Sequence, residues 1–408
     1  MAQDAHAIGN LDERYEMSPK TRKALFATMG LGAVLTLIGI GVHAGEHHRV
    51  WATYLQVNFL LVTLGLGGTV FIAINYLANA GWGTQLKRIA EALGTYLPWA
   101  MIFMLPILLF GMHSLYHWTH EGIMDPNSEN FDSILKGKEA YLNYPAYYIQ
   151  FFVFFAVWIA FTYMLRKASS QEDLYGGLKY FNRSNVLSAI FIILFGITFS
   201  FASFSWLMSI EPHWFSTIYG VYCFAGLFVG TVTVIQLITL HLKSKGHLKG
   251  VTDEHIHDLG KFMFAFSIFW AYIWLSQFLL IWYSNIPEET MYYYDRFQPG
   301  WQALFLTNLV INFVAPFFIL MTRDAKRNKK FLGAMIAIIL TGRWIDVYLL
   351  VQPGAAGKEA GFGMLEIGFT LLLGGAFAFI VLHNLSKRPL IAKNHPYLEE
   401  SLHHEIVP

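Results

Sequence analysis

The sequence predicts an all-α integral membrane protein with ten transmembrane helices and both termini in the cytoplasm. Its 408 residues are 55% hydrophobic and only 13% charged, whereas a soluble chain usually carries about a quarter charged residues. Because so few charges cannot cover a water-facing surface, lipid is the expected solvent for most of the chain. Apolar runs of the ~20 residues needed to cross a bilayer recur along it. They lie at 24–44, 51–78, 96–118, 146–166, 185–208, 214–241, 259–283, 301–322, 331–351 and 364–385.

The basic residues divide unequally between the two sides of this topology. Of the 28 Lys and Arg residues, 22 fall in the terminal segments and the even-numbered connections, and only five in the odd-numbered ones. Those five are Arg49, Lys136, Lys138, Arg296 and Lys358. Since basic residues accumulate in cytoplasmic loops, we expect residues 1–23 and 386–408 to be cytoplasmic segments flanking a membrane domain at 24–385.

An internal duplication is indicated by pieces of sequence that recur four helices apart. Gly68-Thr69-Val70 in the second span recurs as Gly230-Thr231-Val232 in the sixth, and Glu-containing segments with His precede both spans. A shift of four helices preserves orientation, so the repeats would be parallel. They would form two four-helix bundles with two flanking helices, and they would cover about 51–208 and 214–351.

Ionisable residues inside predicted spans are candidates for function, since each costs roughly 2.5–3.5 kcal/mol at membrane depth on insertion scales. Arg343 and Asp346 are three residues apart in the ninth span and can form a pair. We expect Glu366, near the outer end of the tenth span, to join them. The set is either a structural ion pair or a proton-handling cluster.

A second acidic candidate follows the serine-rich end of the fifth span. Glu211 and His213 lie in the short connection to the sixth span. The serines before them either allow close helix packing or line a hydrated path that leads to Glu211. We therefore add both residues to the proton-handling candidates.

A layer of His, Tyr and amide side chains is predicted near the outer surface. His113 and His117 are four residues apart in the third span, and His43, Tyr147 and Gln150 would lie at the same depth. Such groups suit a quinone, whose carbonyl oxygens accept hydrogen bonds and whose quinol releases protons. We expect no metal site, because no H-E-x-x-H or matching carboxylate set is present.

Two outer connections, 119–145 and 284–300, are long, acidic and aromatic. They form either an ordinary interfacial aromatic belt or a docking surface for a protein on the outer side.

Two segments resemble a known family. Ser203-Phe204-Ser205-Trp206-Leu207-Met208-Ser209-Ile210-Glu211-Pro212-His213-Trp214-Phe215-Ser216-Thr217-Ile218-Tyr219-Gly220 and Thr341-Gly342-Arg343-Trp344-Ile345-Asp346 resemble the ActF-type membrane subunits of bacterial alternative complex III. These belong to the polysulfide-reductase membrane-subunit (NrfD-like) family.

The resemblance implies a subunit of a respiratory quinol:cytochrome c or quinol:electron-acceptor oxidoreductase in the bacterial inner membrane. It implies menaquinol or ubiquinol as substrate and no redox cofactor in this chain. The partners implied are a homologous larger NrfD-like membrane subunit, an iron–sulfur subunit, c-type haem subunits and a terminal oxidase, with no nucleic acid. Iron–sulfur clusters and haem c would then belong only to the partners.

Two other functions compete with this one. A haem b cytochrome could use His43 with His113 and His241 with His383, because haem needs facing pairs at equal depth. A secondary transporter would also suit parallel repeats and an Arg–Asp pair. The single cysteine, Cys223, leaves no possibility of a cysteine-ligated iron–sulfur cluster or zinc site in this chain.

Overall fold

The computed structural model describes residues 11–404, so the ends of the two predicted terminal segments lie outside the described residues. Within that range the chain has ten helices long and apolar enough to cross a membrane, which confirms the predicted all-α multi-span class. We number them α1 to α10 in chain order. Their bounds are Pro19–Val42, His47–Leu77, Gly81–Leu115, Tyr144–Tyr175, Leu178–Ile210, Tyr219–Ser244, Asp253–Ser284, Gln302–Ile319, Lys329–Ala355 and Met364–Leu385.

Helix α2 is the centre of the molecule. Its most apolar stretch is 89% buried, against 17% for the corresponding stretch of α1. It contacts α3, α5, α6, α9 and α10, and α6 also packs against α5, α7 and α9. The remaining helices surround these and turn an apolar face outward.

Small residues let α1 and α10 approach closely and form the flanking pair. A Cβ atom on Gly32 would lie 2.4 Å from the backbone nitrogen of Leu372, and one on Gly368 would lie 2.5 Å from that of Thr36. In a membrane, where lipid is as apolar as Leu, such close backbone approach provides the van der Waals contact that holds helices together.

The second Gly-Thr-Val piece lies where α2 crosses α6, whereas Gly68 of the first piece packs against α3. A Cβ on Gly67, beside the first piece, would lie 1.8 Å from Oγ1 of Thr231 in the second piece, and one on Gly230 would lie 3.0 Å from the Leu64 side chain. Both pieces therefore have a packing role, the first against α3 and the second against α2. The internal duplication itself stays a prediction.

The third span differs from the predicted one. It begins with a tight turn at Gly81–Leu86, and the amphipathic helix that follows, Lys87–Gly94, is buried throughout. We predicted that this stretch would be a connection between spans because it carries charged residues. In the structure, protein groups and not water surround these charges.

The outer end of α3 is also irregular. After Pro106 the helix widens into a π-helical turn at Ile107–Gly111, and it ends at Leu115. Tyr116 is extended and residues His117–Thr119 form a separate tight turn. The predicted helical face carrying His113 and His117 is therefore wrong, because the chain is not helical between them.

The segments before α1 and after α10 meet at the same end of the bundle, as ten crossings require. The backbone nitrogen of Leu390 donates to the carbonyl of Glu13 at 2.8 Å, beside a bridge between Arg14 and Pro389. We call this the termini end, and the other the opposite end. That the termini end faces the cytoplasm stays a prediction from the distribution of charge.

We expect Gly32→Ala to destabilise the protein, because the added methyl group meets backbone that cannot move aside. Overpacking of this kind typically costs ~1–3 kcal/mol. Gly30→Ala is the control, since a Cβ there has no atom within 4 Å and Ala is the better helix former by about 1 kcal/mol. Thermal unfolding of the purified variants measures both, and equal midpoints would show that the close approach of α1 and α10 is dispensable.

Candidate functional site: buried ion pairs and their polar neighbours

The predicted pair on α9 forms, and it is surrounded by donors from three other helices. Nη1 of Arg343 lies 3.2 Å from Oδ2 of Asp346, and both side chains are buried. The same carboxylate accepts hydrogen bonds from Asn308 Nδ2 at 2.9 Å, from Trp270 Nε1 at 3.3 Å and from the Tyr222 hydroxyl. Helices α6, α7 and α8 thus all contact one carboxylate of α9.

The guanidinium of Arg343 is held on three sides. Its Nε donates to Asn312 Oδ1 at 2.9 Å, and its face lies 4.7 Å from the Trp270 ring. A Cβ on Gly226 would lie 2.7 Å from Nη1, so the guanidinium also packs against the backbone of α6. Nη2 is buried and has no hydrogen-bond partner among residues 11–404. A buried donor of this kind is commonly satisfied by an internal water molecule.

Glu366 is not part of this pair, contrary to the sequence expectation. It is fully buried and accepts from Arg49 through Nε at 2.9 Å and Nη2 at 3.1 Å. The Thr53 hydroxyl at 3.3 Å and the Gly363 backbone nitrogen at 2.7 Å complete its hydrogen bonds. The prediction was wrong because Arg49 supplies the positive charge that Arg343 was expected to provide.

Arg49 is therefore a residue that the sequence reasoning missed. It was counted in an outer connection, but α2 begins at His47, which places Arg49 in the first turn of the central helix. An arginine on a side almost free of basic residues, with an acid inside a span at the same depth, was the available signal. Its partner lies 317 residues away, so local spacing could not identify it.

Glu211 forms a second unpredicted pair, with Arg296. Nη1 and Nη2 of Arg296 donate to the two carboxylate oxygens at 3.1 and 2.8 Å, and the guanidinium stacks 3.4 Å from the centre of the Tyr292 ring. Burial lowers the pKa of Arg296, but the charge of Glu211 and the Tyr292 ring hydroxyl more than offset this, so the pKa is raised. The connection before α6 is thus fastened to the connection between α7 and α8.

His213, the other candidate in that connection, is exposed and pairs with Asp132. Burial raises the pKa of Asp132, but the hydrogen bonds from His213 and from two backbone N–H groups lower it by more. The net effect is a lowered pKa. His213 therefore lies at the protein surface, outside the buried network around Asp346.

Polar side chains of α2 and α9 lie between the Arg49–Glu366 and Arg343–Asp346 pairs. Gln352 Nε2 donates to Thr53 Oγ1 at 3.0 Å, and Thr53 in turn contacts Glu366. Asp346 and Gln352 are six residues apart on α9, about 9 Å along a helix axis at 1.5 Å per residue. Three buried oxygens in this region have no hydrogen-bond partner among the described residues. They are Gln352 Oε1, Gln56 Oε1 and Asn58 Oδ1.

The five candidates of the outer layer are divided among different surroundings. Tyr147 is buried and its hydroxyl lies 2.7 Å from that of Tyr116, while Gln150 accepts from Ser205. His43 pairs with Glu46 at 2.8 Å. His113 and His117 are exposed. These residues do not line one of the larger cavities of the described protein, so the structure gives the predicted shared pocket no support.

The histidines at the end of α3 do gather, though through the turn and not along a helix. His120 has ring contacts with His113 at 4.5 Å and with His117 at 5.1 Å between centroids. Across residues 11–404, no group of three or more His, Cys, Asp or Glu side chains is arranged to hold a metal ion.

A further ionic cluster, unpredicted, lies at the termini end around the buried start of α3. Lys87 lies 3.0 Å from Glu172, and Arg88 lies 2.6 Å from Glu91. The C-terminal tail covers the cluster with His395. Burial, with the nearby cations of Lys87 and Arg88, lowers the pKa of His395 to about 2, so its ring is neutral at physiological pH.

Comparison with known proteins gives no assignment, since no family model matches the chain and no curated protein matches it. The functional interpretation therefore depends on the buried pairs and their neighbours, together with the resemblance of the two segments described above.

Arg49→Gln should lower the free energy of unfolding by ~3–5 kcal/mol, because it leaves the buried Glu366 carboxylate without its cation. Adding Glu366→Gln should recover part of this loss. Lys136→Gln is the matched control: its partner Glu139 is 2.7 Å away, but both side chains are about half exposed, at 42% and 50%. An exposed pair of this kind contributes only ~0–1 kcal/mol.

Denaturant or heat unfolding of the purified protein distinguishes the variants. If Arg49→Gln costs no more than Lys136→Gln, the Arg49–Glu366 pair does not stabilise the fold.

Proposed function

We propose that the chain is a membrane subunit of a bacterial respiratory quinol:electron-acceptor oxidoreductase of the alternative-complex-III type. Its own contribution would be to move protons through the polar network around α2, α6 and α9. The observation that supports a proton role is the Arg343–Asp346 pair, a buried carboxylate with hydroxyl, amide and indole donors. Such groups are costly at membrane depth and mark ion and proton pathways in membrane proteins.

The neighbours of Asp346 support this role beyond simple charge compensation. A structural pair needs only its counter-ion, whereas Asp346 also accepts from the Tyr222 hydroxyl, a group that can both donate and accept a proton. Arg343 Nη2 and the oxygens of Gln56 and Gln352 lack partners among the described residues. Waters that satisfied them would connect Asp346 towards Thr53 and Glu366 in one hydrogen-bonded path.

Electron transfer is assigned to partner subunits in this proposal. Quinol oxidation releases electrons together with protons. The chain's single cysteine, Cys223, is buried in α6 and cannot by itself hold an iron–sulfur cluster that would accept these electrons. The electrons would pass to iron–sulfur and c-type haem subunits, and from these to an acceptor such as a terminal oxidase. The larger homologous membrane subunit would bind the menaquinol or ubiquinol beside the iron–sulfur protein.

The opposite end has the character of a docking surface for these partners. Helix Pro287–Arg296 and the ends of α7 expose large aromatic side chains, with Tyr283 87%, Trp282 65% and Tyr294 60% exposed. Glu288, Glu289 and Asp295 lie among or beside them. Tyr and Trp with a polar atom are favoured in protein interfaces, which supports the assignment of partners to this end.

Asp346→Asn should allow the complex to assemble and oxidise quinol while charge translocation per quinol falls several-fold. The amide keeps the hydrogen-bonding shape but cannot carry the proton. Glu16→Gln, at an exposed carboxylate of the termini end and outside the proposed docking surface, is the control and should match wild type. Quinol oxidation and charge movement are measured together in vesicles containing the purified complex.

Tyr222→Phe provides a second variant in case Asp346→Asn fails to assemble, since it removes one hydroxyl and keeps the ring. A wild-type translocation ratio in an assembled Asp346→Asn or Tyr222→Phe complex would contradict the proton role. If only Asp346→Asn fails, and Tyr222→Phe is normal, the pair is structural.

Tagged chain purified from native membranes in mild detergent should bring down iron–sulfur and c-type haem proteins. The isolated chain should show no haem b absorption in the visible spectrum. A haem b spectrum in the isolated chain, or purification without any redox partner, would contradict membership of such a complex.

A further inference from the structure

A long cleft lies between the flanking helix α10 and helices α6 and α9. Its volume is about 730 Å³, within the ~300–1,000 Å³ usual for ligand sites. One wall is α10, the other is formed by α6 and α9, and Leu60 and Leu64 of α2 lie at its base. We call it the α10 cleft.

The α10 cleft is long and apolar. On α10 it runs from Glu366 to Leu382, about 24 Å along the helix at 1.5 Å per residue, which is most of the ~30 Å hydrocarbon core. Its walls along that length include Val234, Ile238, Leu340 and Ala378. This shape accepts an extended hydrocarbon chain and is unsuited to a compact polar solute.

The polar groups at the two ends of the cleft differ in what they can still bind. At the opposite end, Glu366 already accepts four hydrogen bonds from the protein. At the termini end the imidazole of His241 lines the cleft, and its side chain makes no hydrogen bond to residues 11–404. A ligand head group at the termini end therefore finds a free imidazole.

Exposed basic residues are close in sequence to the lining residues of this termini-end mouth. Lys245 is one turn beyond His241 on α6, and Lys20, Arg22 and Lys23 lie within two residues of Thr21, which itself lines the cleft from α1. The exposed ammonium groups and the free imidazole match the negative charge of a phosphate. Basic residues at the cytoplasmic surface of a membrane attract anionic lipids, and the termini end is the end predicted to face the cytoplasm.

We propose that the α10 cleft is a binding site for one phospholipid of the leaflet at the termini end. Its phosphate is bound by His241 with Lys20, Lys23 and Lys245, and one acyl chain lies between α10 and the wall of α6 and α9. The lipid thereby fills the space between α10 and helices α6 and α9. This inference does not depend on the proposed proton role.

An isoprenoid quinone is the alternative occupant of a long apolar cleft. It is less favoured because a quinone head group needs donors for its carbonyl oxygens, and the phosphate better matches the several cations at the mouth. The experiment therefore includes both probes.

The test uses the full chain in vesicles of phosphatidylethanolamine and phosphatidylglycerol. A small share of the phosphatidylglycerol carries a diazirine near the end of one acyl chain, and after illumination the labelled peptides are mapped. We expect labelling to concentrate on α6 and α10 residues of the cleft. Ala378→Trp, which fills the cleft, should reduce this labelling several-fold, whereas Ala156→Trp, at an exposed position of α4, should leave it unchanged.

His241→Gln, at the mouth, is the second variant in case Ala378→Trp does not fold, and it should also reduce labelling of the cleft. Labelling spread evenly over all outward-facing helices, or unaffected by either substitution in folded protein, overturns the proposal. It is equally overturned if a diazirine-bearing quinone labels the cleft and displaces the phospholipid, since the site is then a quinone site.

Discussion

The arrangement of this protein depends on one constraint, that a charge buried among apolar helices must find its counter-charge inside the protein. Hydrocarbon cannot solvate a carboxylate or a guanidinium, and leaving either unpaired costs several kcal/mol. Three acidic residues in the half near the opposite end meet this requirement with three arginines. The pairs are Arg49–Glu366, Glu211–Arg296 and Arg343–Asp346. The first two pairs join distant segments of the chain, and the third, which lies within α9, is bonded to side chains of α6, α7 and α8, so the pairs link neighbouring helices as well as compensating charge.

Close packing around α2 makes those pairs possible. Gly67 and Gly230 let α2 and α6 cross at short distance, and Gly32 and Gly368 do the same for α1 and α10. Because the backbones approach so closely, polar side chains of α2 meet α9 and α10 directly and not lipid. The same packing leaves α10 away from α6 and α9 on its other side, and the α10 cleft is the space that results.

The termini end follows the same rule with different partners. Lys87 and Arg88 look like ordinary cytoplasmic loop residues in the sequence, yet both are buried and paired with Glu172 and Glu91. Their positive charge therefore contributes to packing of α3 against α4 in addition to any effect on topology. The C-terminal tail covers this ionic cluster with His395, whose neutral ring lies near the cations of Lys87 and Arg88.

The sequence by itself determined the class, the number of spans and the Arg343–Asp346 pair, because each depends on residues close together in the chain. Hydropathy is a local average, and a spacing of three residues places two side chains on one helical face wherever the helix lies. Only the tertiary structure decided that Glu366 binds Arg49 and that Glu211 binds Arg296. It also decided that His113 and His117 face outward and that α10 leaves a cleft. These depend on how each helix is rotated about its own axis and which helix lies beside it. The rotation and the neighbours of each helix are set by the packing of small residues that are far apart in the sequence. No local sequence pattern contains this information.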